Sequence, residues 1–127
     1  IEESNGYIEI GDHCSFVDTH LAVTEGTKIV IGDSCMFSYD IDVRTGDSHP
    51  IFDLSTGKRI NHSKDIIFGN NIWVGAHSSI LKGSKIYDNS IISIRSLVNK
   101  KFYQSNIIIG GIPAKSIMFN IKWQRIR

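Results

Sequence analysis

No run of 18 apolar residues occurs in this chain, which removes a membrane-spanning helix from consideration. No signal peptide is visible, and a first residue of Ile1 rather than Met leaves room for a preceding segment. Cysteine is scarce: Cys14 and Cys35 are the only two, too few for a disulfide framework, and they form no Cys-x-x-Cys pair. A reducing, cytoplasmic setting is the simplest expectation. The five histidines include no His-x4-His pair, so the three convergent zinc ligands of a metal hydratase are not expected, and no metal is predicted. A Gly-x-x-x-x-Gly-Lys phosphate cradle and a calcium-loop pattern are both missing. A net charge of +1 over 127 residues speaks against a nucleic-acid binder. Acid is missing altogether beyond Asp88, whereas Arg95, Lys100, Lys101, Lys115, Lys122, Arg125 and Arg127 all lie there. That basic final third points to an anionic ligand or partner, although a solvated basic tail has the same composition.

What the sequence does have is a ladder. Phe68, Val74, Ile80, Ile86, Ile92 and Val98 stand six residues apart without a break. A period of six fits neither a helix (3.6) nor an alternating strand (2). It is the period of a chain that coils in flat steps, with one short strand per step. Four residues after Val74, Ile80, Ile86 and Ile92 come Ser78, Ser84, Ser90 and Ser96, and Cys14 and Cys35 hold the same slot after Ile10 and Ile31. The slot reads as a tight corner with room for a small side chain, and both cysteines as corner thiols rather than ligands or nucleophiles.

Three segments share an opening: Ile8-Glu9-Ile10-Gly11-Asp12, Ile29-Val30-Ile31-Gly32-Asp33 and Ile66-Ile67-Phe68-Gly69-Asn70. Alternation predicts a short strand with one face inward. Glycine followed by Asp or Asn predicts a turn with permissive backbone angles. Three strands per coil make a turn of 18 residues. The first two openings are 21 apart, which predicts a bulge near Thr24–Lys28. Between Val43 and Phe68 the surplus, about residues 44–64, must leave the coil as a loop, and loops that long are usually functional or disordered. The chain is therefore one domain, 1–127. Its last part, about 107–127, is expected to cap a coil end with a short helix in which Met118, Ile121 and Trp123 pack.

These openings, the hexad ladder, Asn71-Ile72-Trp73-Val74-Gly75-Ala76 and Gly111-Ile112-Pro113-Ala114-Lys115 together resemble the hexapeptide-repeat acyltransferases. The nearest branch is that of the maltose and galactoside O-acetyltransferases and their polysaccharide-modifying relatives. The resemblance implies an all-β fold, a left-handed parallel β-helix, assembled as a homotrimer with active sites between subunits. It implies acetyl-CoA as acyl donor and a sugar or glycan hydroxyl as acceptor. It places the catalytic histidine at His49 in the looped-out segment. It places the donor groove along Ala76 and Ile94, with Asn99, Lys100 and Lys115 toward the phosphates and Trp73 near the thioester. The family's acceptor-side Asn has no clear equivalent, since Val17 and Asp18 fall there. An N-acyltransferase acting on an amino sugar, or a non-catalytic β-helical domain, fits the same fold.

Histidine is the natural base for a hydroxyl proton near neutral pH. His49 follows Asp47 by two residues and precedes Pro50. Asp47 is the first candidate to orient it, with Asp53 and Asp42 as rivals. Backbone N–H groups around Gly75 and Ala76 are candidates for holding an oxyanion. Lys115, after its Gly-x-Pro turn, is the best placed of the lysines to meet phosphates.

Overall fold

The computed structural model describes residues 5–127. Four coils follow one another, each of three short strands. The first holds β1 (Tyr7–Ile10), β2 (Ser15–Phe16) and β3 (Thr19–Ala22). The second holds β4 (Lys28–Ile31), β5 (Met36–Phe37) and β6 (Ile41–Arg44). The third holds β7 (Ile66–Phe68), β8 (Trp73–Val74) and β9 (Ser79–Ile80), and the fourth β10 (Lys85–Ile86), β11 (Ile91–Ile92) and β12 (Leu97–Val98). A closing hairpin of β13 (Ile108–Gly111) and β14 (Ala114–Met118) follows. Stacking makes three parallel faces: β1-β4-β7-β10, β2-β5-β8-β11-β13 and β3-β6-β9-β12. This is the left-handed parallel β-helix.

The hexad ladder is the register of these faces. Ile31 lies against Phe68 and Phe68 against Ile86; Phe37 lies against Val74, Val74 against Ile92 and Ile92 against Ile109; Val43 lies against Ile80 and Ile80 against Val98. All are at most 1% exposed, and a fully buried aliphatic side chain contributes about 1.5–3 kcal/mol. Among the described residues the first coil has a neighbour on one side only, and Ile10 in the same register is 45% exposed.

Each strand also points a residue inward two places before its ladder position. Ser78, Ser84, Ser90 and Ser96 occupy this slot and are buried. Their hydroxyls serve the bent backbone: Ser84 donates to Leu81 O at 2.7 Å and Ser96 to Ser93 O at 2.7 Å. The slot is wider than the serines suggest, because Ile41 and Ile72 fill it elsewhere and are fully buried. Cys35 is buried there, and burial pushes its thiol up to about 12. Cys14, in the end coil, is half-buried.

Glycine in the Gly-Asp/Asn openings has a different cause from the one its turn-forming reputation suggests. The left-handed residue of these corners is the third one, His13, Ser34 or Asn71, while Gly11, Gly32 and Gly69 are not left-handed. They are glycine because the next coil is too close. A Cβ on Gly32 would stand 2.4 Å from Asn70 Oδ1 and 2.5 Å from Gly69 O. The intruding oxygens are useful: Asp33 Oδ1 accepts from Asp12 N–H, Asn70 Oδ1 from Asp33 N–H, and Asp88 Oδ1 from Asn70 N–H, each at 2.8 Å.

The C-terminal helix is not formed. β14 turns back antiparallel on β13 through a cis Ile112–Pro113 bond, and residues 119–127 run without regular structure toward the first coil. Asn106 and Ile121 exchange hydrogen bonds, Trp123 Nε1 donates to Asn71 O at 2.8 Å, and Arg125 Nη1 donates to Ser15 Oγ at 2.7 Å. A helix this short has little stability of its own. An extended strap instead reaches polar groups on several coils. The surplus before β4 is a turn in which Thr27 N–H meets Thr24 O at 3.2 Å.

Ile92→Ala is expected to lower unfolding free energy by about 2–5 kcal/mol in urea titrations. Gly32→Ala is expected to destabilise markedly although its backbone angles suit alanine. An unchanged denaturation midpoint for Gly32→Ala would show that the coils are not in tight contact there.

Candidate functional site

The corners of the prism are built alike, but they are not all capped alike. At the corner between the first and second faces, the N–H before each left-handed residue is capped by an Asp or Asn from the next coil, as described for Asp12, Asp33 and Asn70. At the corner between the second and third faces the equivalent triplets are Ser38-Tyr39-Asp40, Gly75-Ala76-His77 and Ser93-Ile94-Arg95, with Asp40, His77 and Arg95 left-handed. Their middle residues are Tyr39, Ala76 and Ile94, which carry no carboxylate or amide to reach the neighbouring coil. Among the described residues no acceptor stands against the N–H of Ala76 or Ile94. An open N–H in an apolar setting needs a partner, which makes this corner a candidate ligand site. The Gly75 N–H is not among them, because it donates to Ile92 O at 2.8 Å. Of the two oxyanion donors expected from the sequence, only Ala76 remains available.

A cavity of about 520 Å³ lies along this corner, lined by Ser38, Tyr39, Trp73, Ala76, Ile94 and Ile108 among others. Its walls are mostly apolar side chains of the second face. Trp73, 38% exposed, is flanked by Trp123 of the strap, with ring centroids 5.8 Å apart. Three of the six expected donor-binding residues, Trp73, Ala76 and Ile94, thus come together. Asn99, Lys100 and Lys115 do not line this cavity. Lys100 Nζ lies 5.2 Å from the Phe102 ring centroid, and Lys115 is exposed on β14.

The segment between β6 and β7 is a folded loop. Phe52 and Arg59 form an antiparallel bridge, Ile60 N–H donates to Ile51 O at 2.9 Å, and Asp53 Oδ1 caps the tip by accepting from Ser55 and Thr56 N–H. Asn61, 5% exposed, ties the base. Its oxygen accepts from Ile51 N–H at 2.7 Å, and its Nδ2 donates to His49 O at 2.8 Å and Asp47 Oδ2 at 3.1 Å. Arg59 forms a two-pronged bond to Glu25, 2.7 Å on each arm, and Ser63 Oγ donates to the same carboxylate. Sequence reasoning passed over Asn61 and Glu25. Nothing in the Arg59-Ile60-Asn61-His62 stretch shows that a buried amide pins the loop.

His49 is exposed on this loop, and among the described residues no side-chain carboxylate bonds its ring. Asp47 faces elsewhere: Lys82 Nζ and Asn61 Nδ2 hold its carboxylate, and Lys82 chiefly keeps it below the ordinary carboxylate range. Asp53 serves its own turn and Asp42 binds Arg44 and His20. No residue of 44–64 lines the groove of the same chain. The shortest histidine–carboxylate contact among the described residues is that of His77, whose Nδ1 lies 2.6 Å from Asp40 Oδ2.

No family model matches the chain. It is 43% identical over 103 residues to the polysialic acid O-acetyltransferase of Escherichia coli O1:K1, covering 81% of this chain and 33% of that protein. To the polysialic acid O-acetyltransferase of Neisseria meningitidis it is 41% identical over 105 residues, covering 83% and 49%. Among solved structures, the polysialic acid O-acetyltransferase OatWY superimposes with a TM-score of 0.95 at 36% identity, covering 98% of this chain and 59% of that one. A galactoside acetyltransferase solved with coenzyme A shares the fold, with a TM-score of 0.60 at 23% identity, covering 90% and 65%. The chain spans between a third and a half of the length of the two polysialic acid relatives it matches.

Arg59, followed by Ser63, holds Glu25 below the ordinary carboxylate range. A depressed folded value means that the anchorage is fully present above that range and is lost as pH falls through the lowered value. Limited proteolysis at the loop tip is therefore expected to stay slow from neutral pH to about pH 5 and to accelerate below about pH 4. Asn61→Ala, which orphans the Ile51 N–H, is expected to accelerate it already at neutral pH and to cost about 1–3 kcal/mol.

Proposed function

The chain belongs to the hexapeptide-repeat acetyltransferases, and from that premise we propose that it transfers an acetyl group from acetyl-CoA to a hydroxyl of a glycan, with polysialic acid the acceptor class first in line. The observation that carries this reading is the uncapped corner: an apolar groove edged by the N–H groups of Ala76 and Ile94. A groove of about 520 Å³ with such walls fits an acyl-pantetheine arm, and the two N–H groups suit its carbonyl oxygens. Trp73 provides a flat apolar wall beside the reacting end. Arg95, one coil beyond His77 on the same corner, and Lys100 and Lys115 farther along, offer cations to phosphates.

His49 acts as general base, removing the hydroxyl proton as that oxygen attacks the thioester carbon in a direct ternary complex. The C–O bond forms as the thioester C–S bond breaks, and the thiolate leaves. Asp47 contributes by position. Its bonds to Lys82 and Asn61 hold the backbone from which His49 projects. Because the groove of one chain receives nothing from its own loop, base and groove meet when a second copy brings its loop across. This supports a homotrimer with sites between subunits.

Purified protein with acetyl-CoA and a polysialic acid oligomer is expected to release free thiol. His49→Ala should lower that rate by about 10²–10⁴. Lys115→Ala should raise KM for acetyl-CoA with little change in kcat, as loss of uniform binding does. Thiol release undiminished in His49→Ala would remove the histidine from the mechanism.

A further inference from the structure

His77 and Asp40 have no part in the transfer described above, yet among the described residues they make the one histidine–carboxylate pair beside the groove. Both sit in the left-handed place of their triplets, φ 60° and 54°, one above the other in successive coils. His77 N–H donates to Tyr39 O at 3.0 Å, so the backbone locks the pair in register. The side chains then meet, with His77 Nδ1 2.6 Å from Asp40 Oδ2. Tyr39 stands edge-on to the imidazole, centroids 5.0 Å apart, and itself lines the groove.

A carboxylate on Nδ1 selects the tautomer whose Nε2 carries a lone pair. Among the described residues nothing bonds Nε2, and nothing bonds the second oxygen of Asp40. Asp40 is 71% exposed at the side chain and His77 26%. The cluster therefore offers two acceptors in a set geometry beside a half-exposed aromatic ring. This is chemistry for hydroxyls: two neighbouring O–H donors, with a ring face for the C–H surface of a sugar.

The charge order along the corner says which substrate it takes. Asp40, His77 and Arg95 follow one another in coils two, three and four. An anionic phosphate belongs at the Arg95 end and is repelled at the Asp40 end. We propose that Tyr39, Asp40 and His77 form the acceptor subsite, binding two adjacent hydroxyls of a sugar ring and presenting the acceptor to the acyl end of the groove. The subsite rests on the acetyl-transfer reading above and supplies its missing half.

The test is calorimetry on the whole chain with coenzyme A, a polysialic acid oligomer and a galactoside, each titrated separately, followed by steady-state kinetics. The variants are Asp40→Asn and His77→Asn, because asparagine tolerates left-handed backbone. Both are expected to weaken glycan binding and raise acceptor KM by about tenfold or more, with coenzyme A affinity and donor KM unchanged. Loss of coenzyme A affinity with glycan affinity intact would assign the pair to the donor instead. No change in either ligand would leave it a structural contact and overturn the subsite. Coenzyme A binding to the wild-type chain without binding of either glycan would also overturn it. If the wild-type chain does not bind coenzyme A, the underlying acetyl-transfer reading falls and the subsite falls with it.

Discussion

Parallel backbone hydrogen bonds draw successive coils so close that a single Cβ between them is too many. Gly75 shows the limit: a Cβ there would stand 2.6 Å from Ile94 N. Everything else follows from this spacing. Inward positions must be filled by side chains that stack on copies of themselves one coil away, which selects Ile, Val and Phe on the ladder. Corners must bend without losing backbone partners, which selects serine hydroxyls inside and Asp or Asn outside. The coils are similar because the constraint is the same at every level.

A repeated constraint makes departures from it informative. The capping side chains that close the corner between the first and second faces have no counterpart between the second and third, where Ala76 and Ile94 leave their N–H groups without a partner among the described residues. A repeat protein has little need to omit a cap three coils in succession unless something else satisfies the backbone. The groove lies at this corner. The other departure is the chain excursion between β6 and β7, and it is pinned by groups that lie outside the hexad rule: Glu25 in the turn before β4, Asn61 at the loop base and Lys82 at the third corner. Platform and loop are thus separate constructions joined by a few polar contacts.

The strap belongs to the same logic. β14 covers β13 and closes the last coil with an antiparallel partner, which removes an exposed sheet edge. The residues beyond then run back along the prism, and Trp123 arrives beside Trp73. The only two tryptophans of the chain are thereby neighbours at the groove, although 50 positions separate them in sequence.

The sequence by itself determined the coil. A period of six over Phe68–Val98 admits one architecture, and register, inward residues and the site of the excursion all follow from counting, because stacking repeats the same contact at a fixed interval. The resemblance named Trp73, Ala76 and Ile94, and tertiary structure brought them to one groove. Counting could not show why Gly11, Gly32 and Gly69 are glycine, since the obstacle is an atom 17 or more residues away. Nor could it show that Asp47 serves Lys82 and Asn61, that residues 119–127 are a strap, or that His77 meets Asp40 across 37 residues. Periodicity speaks for residues that obey the repeat. Polar partners chosen across coils are one-off pairings, and only the folded chain decides them.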